Sequence, residues 1–469
     1  MEYSMSMNMQ GGAGRKTVFL FIGSRSYMSD LLQTRYVEYL SSTYRVVVFL
    51  KDLDGIDDPD TEYYKNENIT YIILPLPDRR WRMLFEVYLR NELIQNFNWD
   101  NAVAWRNRRA TDKKRLFLRR IGRLLPNTLF SPKRMLWLEA LYIPEYRQFK
   151  HYVKKYQPSL ILTPTPGIQP YHTHAVLCAR KARIPSVAIN FSWDNLTSIP
   201  RHIRATDYLI CWNEWIKGRA IDLHGYDDAH VFVAGTPRFD HYFLPSPHEL
   251  DRKTFLSRKG LDPNRKTILA ASRRYSSFSF DFIRAFLNWQ EENHFGEKLN
   301  LLVRVHPLDP IDLYKEFFNM PNVRIEYGSQ ELKQSQTKGG HKVEMDAEDM
   351  ANMKDTLKYA DVCVNIASTV SIEACIFDMP VINSGFADEF SEILNFPHYK
   401  PVVESGAVRV AKNMDEVAQY IMMYLKDRSI DRENRKKIVD LLIKPTDGYS
   451  YKRNVDFLNE IIGRESSIT

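Results

Sequence analysis

The sequence predicts an α/β protein made of two tandem doubly wound parallel sheets, each flanked by helices, with a cleft between them. Three observations carry this. Short apolar, β-branched runs alternate with helical stretches in both halves, as in parallel sheets buried on both faces. A polar, proline-broken stretch from Tyr242 to Asn264 separates the halves. The 469 residues exceed what one ordinary core accommodates.

The boundaries read as a loose arm over 1–15, a first domain over 16–241, a linker over 242–264, a second domain over 265–444, and a C-terminal helix and tail over 445–469. Lys16 to Gly23 is the first strand. Gly23 to Tyr27 reads as a loop and Asp30 to Ser41 as the helix behind it. Tyr44 to Leu50 and Ile69 to Leu76 follow as strands. No G-x-G-x-x-G follows the first strand, so a dinucleotide site of the usual kind is not expected there.

A basic helical insertion then interrupts the alternation over about 78–156. Between Asp78 and Lys155, 19 Lys and Arg face 7 Asp and Glu, a net of +12, so the rest of the chain carries −5 against its total of +7. The centre, Lys113 to Leu125, sets Leu116, Phe117, Ile121 and Leu124 among arginines, and Trp81, Phe85, Trp99, Trp105, Phe130 and Trp137 flank it. A basic helix with an apolar face suits an anionic membrane surface. The competing reading is an insertion packed on its domain with solvated arginines. No nucleic-acid module accompanies the charge, so nucleic acid is not expected as a partner.

Strand Leu160 to Thr163 leads to a helix carrying His172 and His174. Strand Val187 to Asn190 ends in Phe191-Ser192-Trp193-Asp194-Asn195, and such strand ends are where open α/β sheets place ligands. Val231 to Ala234 runs into Gly235-Thr236-Pro237-Arg238-Phe239-Asp240. In the second half Thr267 to Ala271 ends in Ser272-Arg273-Arg274, and Leu301 to Val305, containing Arg304, closes on His306-Pro307. Gln330 to Ala347 is polar and reads as a mobile loop. The unit around which the chain is organised runs from Leu357 to Phe386. Strand Ala360 to Ile366 passes through Ser368 and Thr369, residue types that cap helices, into a short helix and the strand Val381 to Asn383.

Three strand ends thus deliver arginines, an imidazole and a hydroxyl-bearing helix start to one side of a sheet. That set suits a nucleotide diphosphate: guanidinium groups pair with phosphate oxygens and a helix N-terminus adds N–H donors. His306 can donate to a phosphate or protonate a leaving group. The four cysteines, Cys178, Cys211, Cys363 and Cys375, match neither a zinc site nor a disulfide scaffold and read as buried thiols of a reducing compartment. No apolar run approaches the roughly 20 residues of a membrane span, and the N-terminus lacks a signal-peptide core.

Two Rossmann-like domains, GTPRFD closing the first, VRVHP in the second, and ADVCVNIASTVSIEACIFDMPVI resemble the GT-B glycosyltransferases. The closest likeness is to the branch holding CDP-glycerol glycerophosphotransferases and bacterial capsule and surface-polysaccharide transferases. The resemblance implies that His306, Pro307, Ser368 and Thr369 contact the nucleotide and phosphates of a donor, and that Arg238 is the arginine of a segment near the hinge; Ser272, Arg273 and Arg304 of the strand ends, with Glu373, complete the expected nucleotide- and phosphate-binding set. It implies a nucleotide-sugar donor, a glycan or lipid-linked acceptor, no cofactor, no metal, and a cytoplasmic location peripheral to the inner membrane face. Many retaining relatives carry two glutamates around this unit. Glu373 matches the second, but Asn365 stands at the first. An inverting mechanism is therefore expected, with one general base from the first domain. Asp194 leads, with Asp30, His172 and His174 as the others; Trp193 and Asn195 complete the acceptor side. Asp194 could instead pin its own loop through side-chain hydrogen bonds. A polyol-phosphate transferase, a UDP-sugar epimerase and a non-catalytic carbohydrate- or partner-binding module are the alternatives.

Overall fold

The structure is a computed structural model that describes residues 14–51, 63–74, 113, 117, 121, 124, 146–165, 170–198, 206–273, 276–306, 309–327, 345–386 and 388–468. Among them the chain forms two parallel sheets of seven and six strands. The first contains β1 (Thr17–Ile22), β2 (Arg45–Leu50), β3 (Ile69–Ile73), β4 (Pro158–Pro164), β5 (Ser186–Ile189), β6 (Tyr208–Cys211) and β7 (Val231–Val233), in the order β3-β2-β1-β4-β5-β6-β7. β1 is buried at every residue and β2 at all but its first, the reason both read as unbroken apolar runs.

Helices α1 (Arg25–Leu31) and α2 (Arg35–Thr43) replace the expected Gly23–Tyr27 loop and single Asp30–Ser41 helix. The amides of Leu32 and Gln33 both bond to Met28 O, closing α1. The Thr34 hydroxyl then accepts from the Tyr36 amide and starts α2. Along the rest of this domain come α3 (Tyr146–Tyr156), α4 (Pro170–Ala182), α5 (Asn195–Ser198), α6 (Glu214–His224) and α7 (Pro237–Phe243). The basic insertion falls mostly outside the described residues. Residues 113, 117, 121 and 124 within it are helical, and Phe117 and Leu124 are exposed.

The second sheet orders β8 (Thr267–Ala271), β9 (Asn300–Arg304), β10 (Val323–Glu326), β11 (Val362–Asn365), β12 (Val381–Ser384) and β13 (Val408–Ala411) as β10-β9-β8-β11-β12-β13. Its helices are α8 (Arg252–Arg258), α9 (Phe278–Glu291), α10 (Ala347–Tyr359), α11 (Thr369–Ile376), α12 (Lys400–Glu404), α13 (Met414–Lys426) and α14 (Arg432–Leu442). α8 lies inside the stretch read as a linker. Asp251 caps it by accepting from the Thr254 amide, and Phe255 and Leu256 are buried. The expected mobile loop falls almost entirely outside the described residues.

In each sheet the strand order reverses, between β1 and β4 and between β8 and β11, which opens a crevice at the carboxyl ends of the strands. The last helix, α15 (Ser450–Ile468), returns to the first domain, where Val455, Leu458, Ile461 and Ile462 join the core of Tyr36, Val37 and Leu40. The Asp240 carboxylate accepts from the Ser450 and Tyr451 amides at 3.0 and 2.8 Å and caps it. Gly235, at φ +80°, lets Ser450 approach, since a Cβ there would collide with the serine side chain.

Candidate functional site

The carboxyl ends of β8, β9 and β11 are tied together by their own residues. The Ser272 amide donates to Arg304 O at 2.9 Å, and the His306 amide donates to Ser272 Oγ at 2.6 Å. Arg273 Nη1 donates to Ala367 O at 3.0 Å, joining the first strand end to the turn before α11. Ser368 is the N-cap of α11, its hydroxyl accepting from the Val370 amide at 3.3 Å, with Thr369 at the first helical position. Ser272, Arg273, Arg304, His306, Ser368 and Thr369 are all half-buried, so each lies near the surface of this crevice. Arg304 Nη1 is buried with no hydrogen-bond partner among the described residues. Pro307 falls outside them.

A buried polar network fixes the helix start. Ser371 Oγ donates to Asn365 Oδ1 at 3.1 Å, Asn383 Nδ2 donates to the same oxygen at 2.8 Å, and Tyr399 Oη lies 2.7 Å from both Ser371 Oγ and Asn383 Oδ1. Asn365 thus organises α11 from beneath.

The first domain meets this crevice through α1 and α7. Arg238 lies 3.8 Å from Asp30 Oδ2 by Nη1 and 3.8 Å from Glu373 Oε1 by Nη2, linking the two domains. Tyr242, one turn further along α7, donates to Glu373 Oε2 at 3.1 Å. Burial raises the Asp30 carboxyl to about 6, against the lowering pull of Arg238 and with a further push from Glu373. Burial also raises Glu373, opposed by Arg238 and Tyr242. Burial pulls the Arg238 guanidinium down, but Asp30 and Glu373, with Tyr242 and Asp194, outweigh it and hold it raised. Asp30 Oδ2 is buried with no hydrogen-bond partner among the described residues. A cavity of about 10 Å³, room for one water, is lined by Asp30, Phe191 and Arg238 among others.

The other residues expected on the acceptor side hold different positions. Ser192 Oγ donates to Asp194 Oδ1 at 2.5 Å, with the Asn195 amide 3.5 Å away, so this carboxylate secures its own turn. Its charge still acts on Arg238 and on Tyr27. Asn195 Oδ1 accepts from the Ser192 amide and from Thr165 Oγ1, joining two strand-end loops. Trp193 is buried against His398 and Tyr399 of the second domain, ring centroids 5.1 and 5.7 Å away. His172 is fully buried, its Nε2 accepts from the Gly23 amide at 2.9 Å, and burial lowers it to about 3. His174 is buried beside Cys178, 3.6 Å away.

The structure therefore brings Asp30, Arg238 and Glu373 into one cluster and Ser272, Arg273, Arg304, His306 and Ser368 into another. Sequence reasoning missed Tyr242 and Tyr399. Tyr242 carries a local signal, four residues after Arg238 on the same helix face. Tyr399 carries none, because its partners come from α11 and β12. No helix among the described residues is long and apolar enough to cross a membrane.

No family model and no curated protein sequence matches the chain. Solved structures do. S. aureus MnaA in a co-structure with UDP is 13% identical, with a TM-score of 0.51, 96% of this chain and 97% of the other being covered. UDP-GlcNAc 2-epimerase from Neisseria meningitidis bound to UDP-GlcNAc is 13% identical, with a TM-score of 0.50 and coverage of 95% and 100%. A glycosyltransferase from Rickettsia africae is 10% identical, with a TM-score of 0.51 and coverage of 96% and 99%. At such identities the likeness establishes the fold, two Rossmann-like domains in the GT-B arrangement.

Proposed function

We propose that the protein is a glycosyltransferase that moves a sugar from a nucleotide-activated donor onto a glycan or lipid-linked acceptor, with inversion. One observation carries the reading. Cationic and hydroxyl-bearing strand ends of the second domain converge on a helix N-terminus, across from a first-domain carboxyl raised to about 6. Arg273, Arg304, Ser368 and Thr369 bind the diphosphate, and His306 donates to it as it leaves. Arginines and a helix end supply the positive charge, so the reading asks for no metal.

Asp30 takes the role of general base in preference to Asp194, whose carboxylate is occupied by Ser192. The acceptor hydroxyl gives its proton to Asp30 as its oxygen bonds to the anomeric carbon. The bond from that carbon to the donor phosphate breaks, and its electron pair leaves with the nucleoside diphosphate.

The acceptor is met at an anionic membrane. Phe117, Ile121 and Leu124 share one helical face by spacing, and two of them are exposed within the most basic part of the chain. Co-sedimentation with phosphatidylglycerol vesicles but not phosphatidylcholine vesicles, weakened by salt, is expected. Equal binding to both removes this part of the proposal.

The decisive test is thermal stabilisation by CMP, CDP, UDP, GDP and ADP, repeated with His306→Ala. A ligand that binds only the folded state raises its midpoint. One nucleotide is expected to stabilise the wild type and lose that effect in the variant; no shift with any of the five overturns the proposal. The resemblance of the VRVHP segment to that of CDP-glycerol transferases leans towards a cytidine nucleotide. Product analysis then separates a glycoside from the phosphodiester of a polyol-phosphate transfer and from an epimerised nucleotide sugar, the activity named for the Neisseria structure.

A further inference from the structure

A second cavity of about 100 Å³ lies between α8, α10 and the edge strand β10. It belongs to a different flank of α10 from the interdomain region. Ala347, Met350, Ala351 and Lys354 of that helix line a pocket shared with α2 and α7, whereas Glu348, Asn352 and Asp355 line this one.

Its walls are held by a buried ion pair. Lys259, just past α8, is 7% exposed and donates to Glu326 Oε1 at 2.5 Å and to Asn352 Oδ1 at 2.9 Å. An ammonium only donates, so this contact settles the amide orientation of Asn352 and leaves its NH₂ for other use. Asn352 Nδ2 has no partner among the described residues, although the residue is 9% exposed. One turn further, Asp355 Oδ2 accepts from the Leu250 amide at 2.9 Å, while Oδ1 has no partner although the residue is 1% exposed. Two residues that each carry an orphaned polar atom, a donor on Asn352 and an acceptor on Asp355, thus line one cavity from neighbouring turns. Burying such groups is unfavourable unless something bonds them.

We infer that this cavity binds a neutral polyhydroxylated ligand, a sugar unit or polyol, separate from the interdomain site. A hydroxyl both accepts and donates, so one hydroxyl, or two on adjacent carbons, accepts from Asn352 and donates to Asp355. An anion would meet the carboxylates of Glu326 and Asp355. A cation would meet Lys259, with Arg258 and Arg324 also lining the cavity. The volume has room for a triol or one edge of a pyranose, and equally for several waters, the competing occupants. The inference goes beyond the proposed reaction and does not depend on it.

Two substitutions invert the polarity of the cavity while keeping its scaffold. Asn352→Asp keeps an oxygen for Lys259 and replaces the free NH₂ by an acceptor. Asp355→Asn keeps an oxygen for the Leu250 amide and replaces the free oxygen by a donor. The experiment is saturation-transfer NMR on the full chain with glycerol, glucose, galactose and N-acetylglucosamine, and with inorganic phosphate as a competitor. At least one hydroxylated probe is expected to bind the wild type and His306→Ala alike and not to yield to phosphate. Its affinity is expected to fall about tenfold or more in folded Asn352→Asp or Asp355→Asn. No binding by any probe at tens of millimolar means that water alone fills the cavity, and overturns the inference. So does binding undiminished in either folded variant, or displacement by phosphate. Loss of the probe in His306→Ala assigns binding to the interdomain site and also overturns it, whatever the nucleotide experiment shows.

Discussion

At the scale of single residues, the proposed chemistry of the interdomain site rests on one carboxyl. Asp30 is raised to about 6 because burial costs its charged form more than Arg238 returns. As the proposed base it must be deprotonated, so kcat/KM is expected to rise through about pH 6 to a plateau. Asp30→Asn is expected to lower kcat by about 10²–10⁴-fold and remove the acid limb. A profile unchanged in Asp30→Asn but flattened in Asp194→Asn would return the role to Asp194. The same group leaves a stability signature. Its folded value lies above its ordinary 3.8, so between these values the folded state holds more protons than the unfolded. Its contribution to stability therefore falls as pH rises from about 4 to about 6, by at most about 1.4 kcal/mol per pH unit. Urea denaturation of wild type and Asp30→Asn across that range reads the difference. His172 behaves oppositely. Burial holds it at about 3, so it stays neutral at working pH and accepts the Gly23 amide. His172→Leu leaves that amide without an acceptor and is expected to cost about 1–3 kcal/mol, partly recovered in His172→Gln. A variant as stable as wild type would show that water replaces the ring.

Among the elements, most of the fold was legible because strands and caps announce themselves locally. The apolar run of β1 and the Ser368 cap of α11 follow from residue type alone. The misread segments share a cause: one hydroxyl or carboxylate decided them. Thr34 broke an expected helix in two, and Asp251 nucleated α8 inside a stretch whose prolines suggested a linker. The partners of a side chain across the chain were not legible. Arg238 and Asp30 are more than 200 positions apart, and nothing in GTPRFD names the carboxylate it meets. The return of α15 to the first domain was equally hidden, since its apolar stripe shows only that it packs on something. Leu458 is fully buried in the core of the first domain. Leu458→Ala is expected to cost about 2–5 kcal/mol, read as a lower denaturant midpoint. An unchanged midpoint would mean that α15 adds little to the folding of that domain.

For the whole molecule, the arrangement of the domains and the chemistry meet at Arg238. The residue stands at the end of the first domain, and its guanidinium lies between a carboxylate of that domain and one of the second. Trp193 packed on His398 and Tyr399, and Ser29 Oγ accepting from the Met345 amide at 2.8 Å, hold the same two bodies elsewhere. These contacts set the distance from Asp30 to the crevice of the second domain, and Arg238 sets its charge as well. Arg238 lowers both Asp30 and Glu373, and Glu373 in turn raises Asp30. Replacing the guanidinium by a neutral amide in Arg238→Gln removes the one charge that favours ionisation of Asp30 and leaves two buried carboxyls facing each other. The acid limb of kcat/KM is then expected to move from about pH 6 towards alkaline pH, with the plateau reached later and lower. A purely structural arginine would lower the plateau and leave the limb where it was. The pH profile of Arg238→Gln beside that of Arg238→Lys, which keeps the charge without the two-sided reach, therefore separates tuning of the base from alignment of the domains.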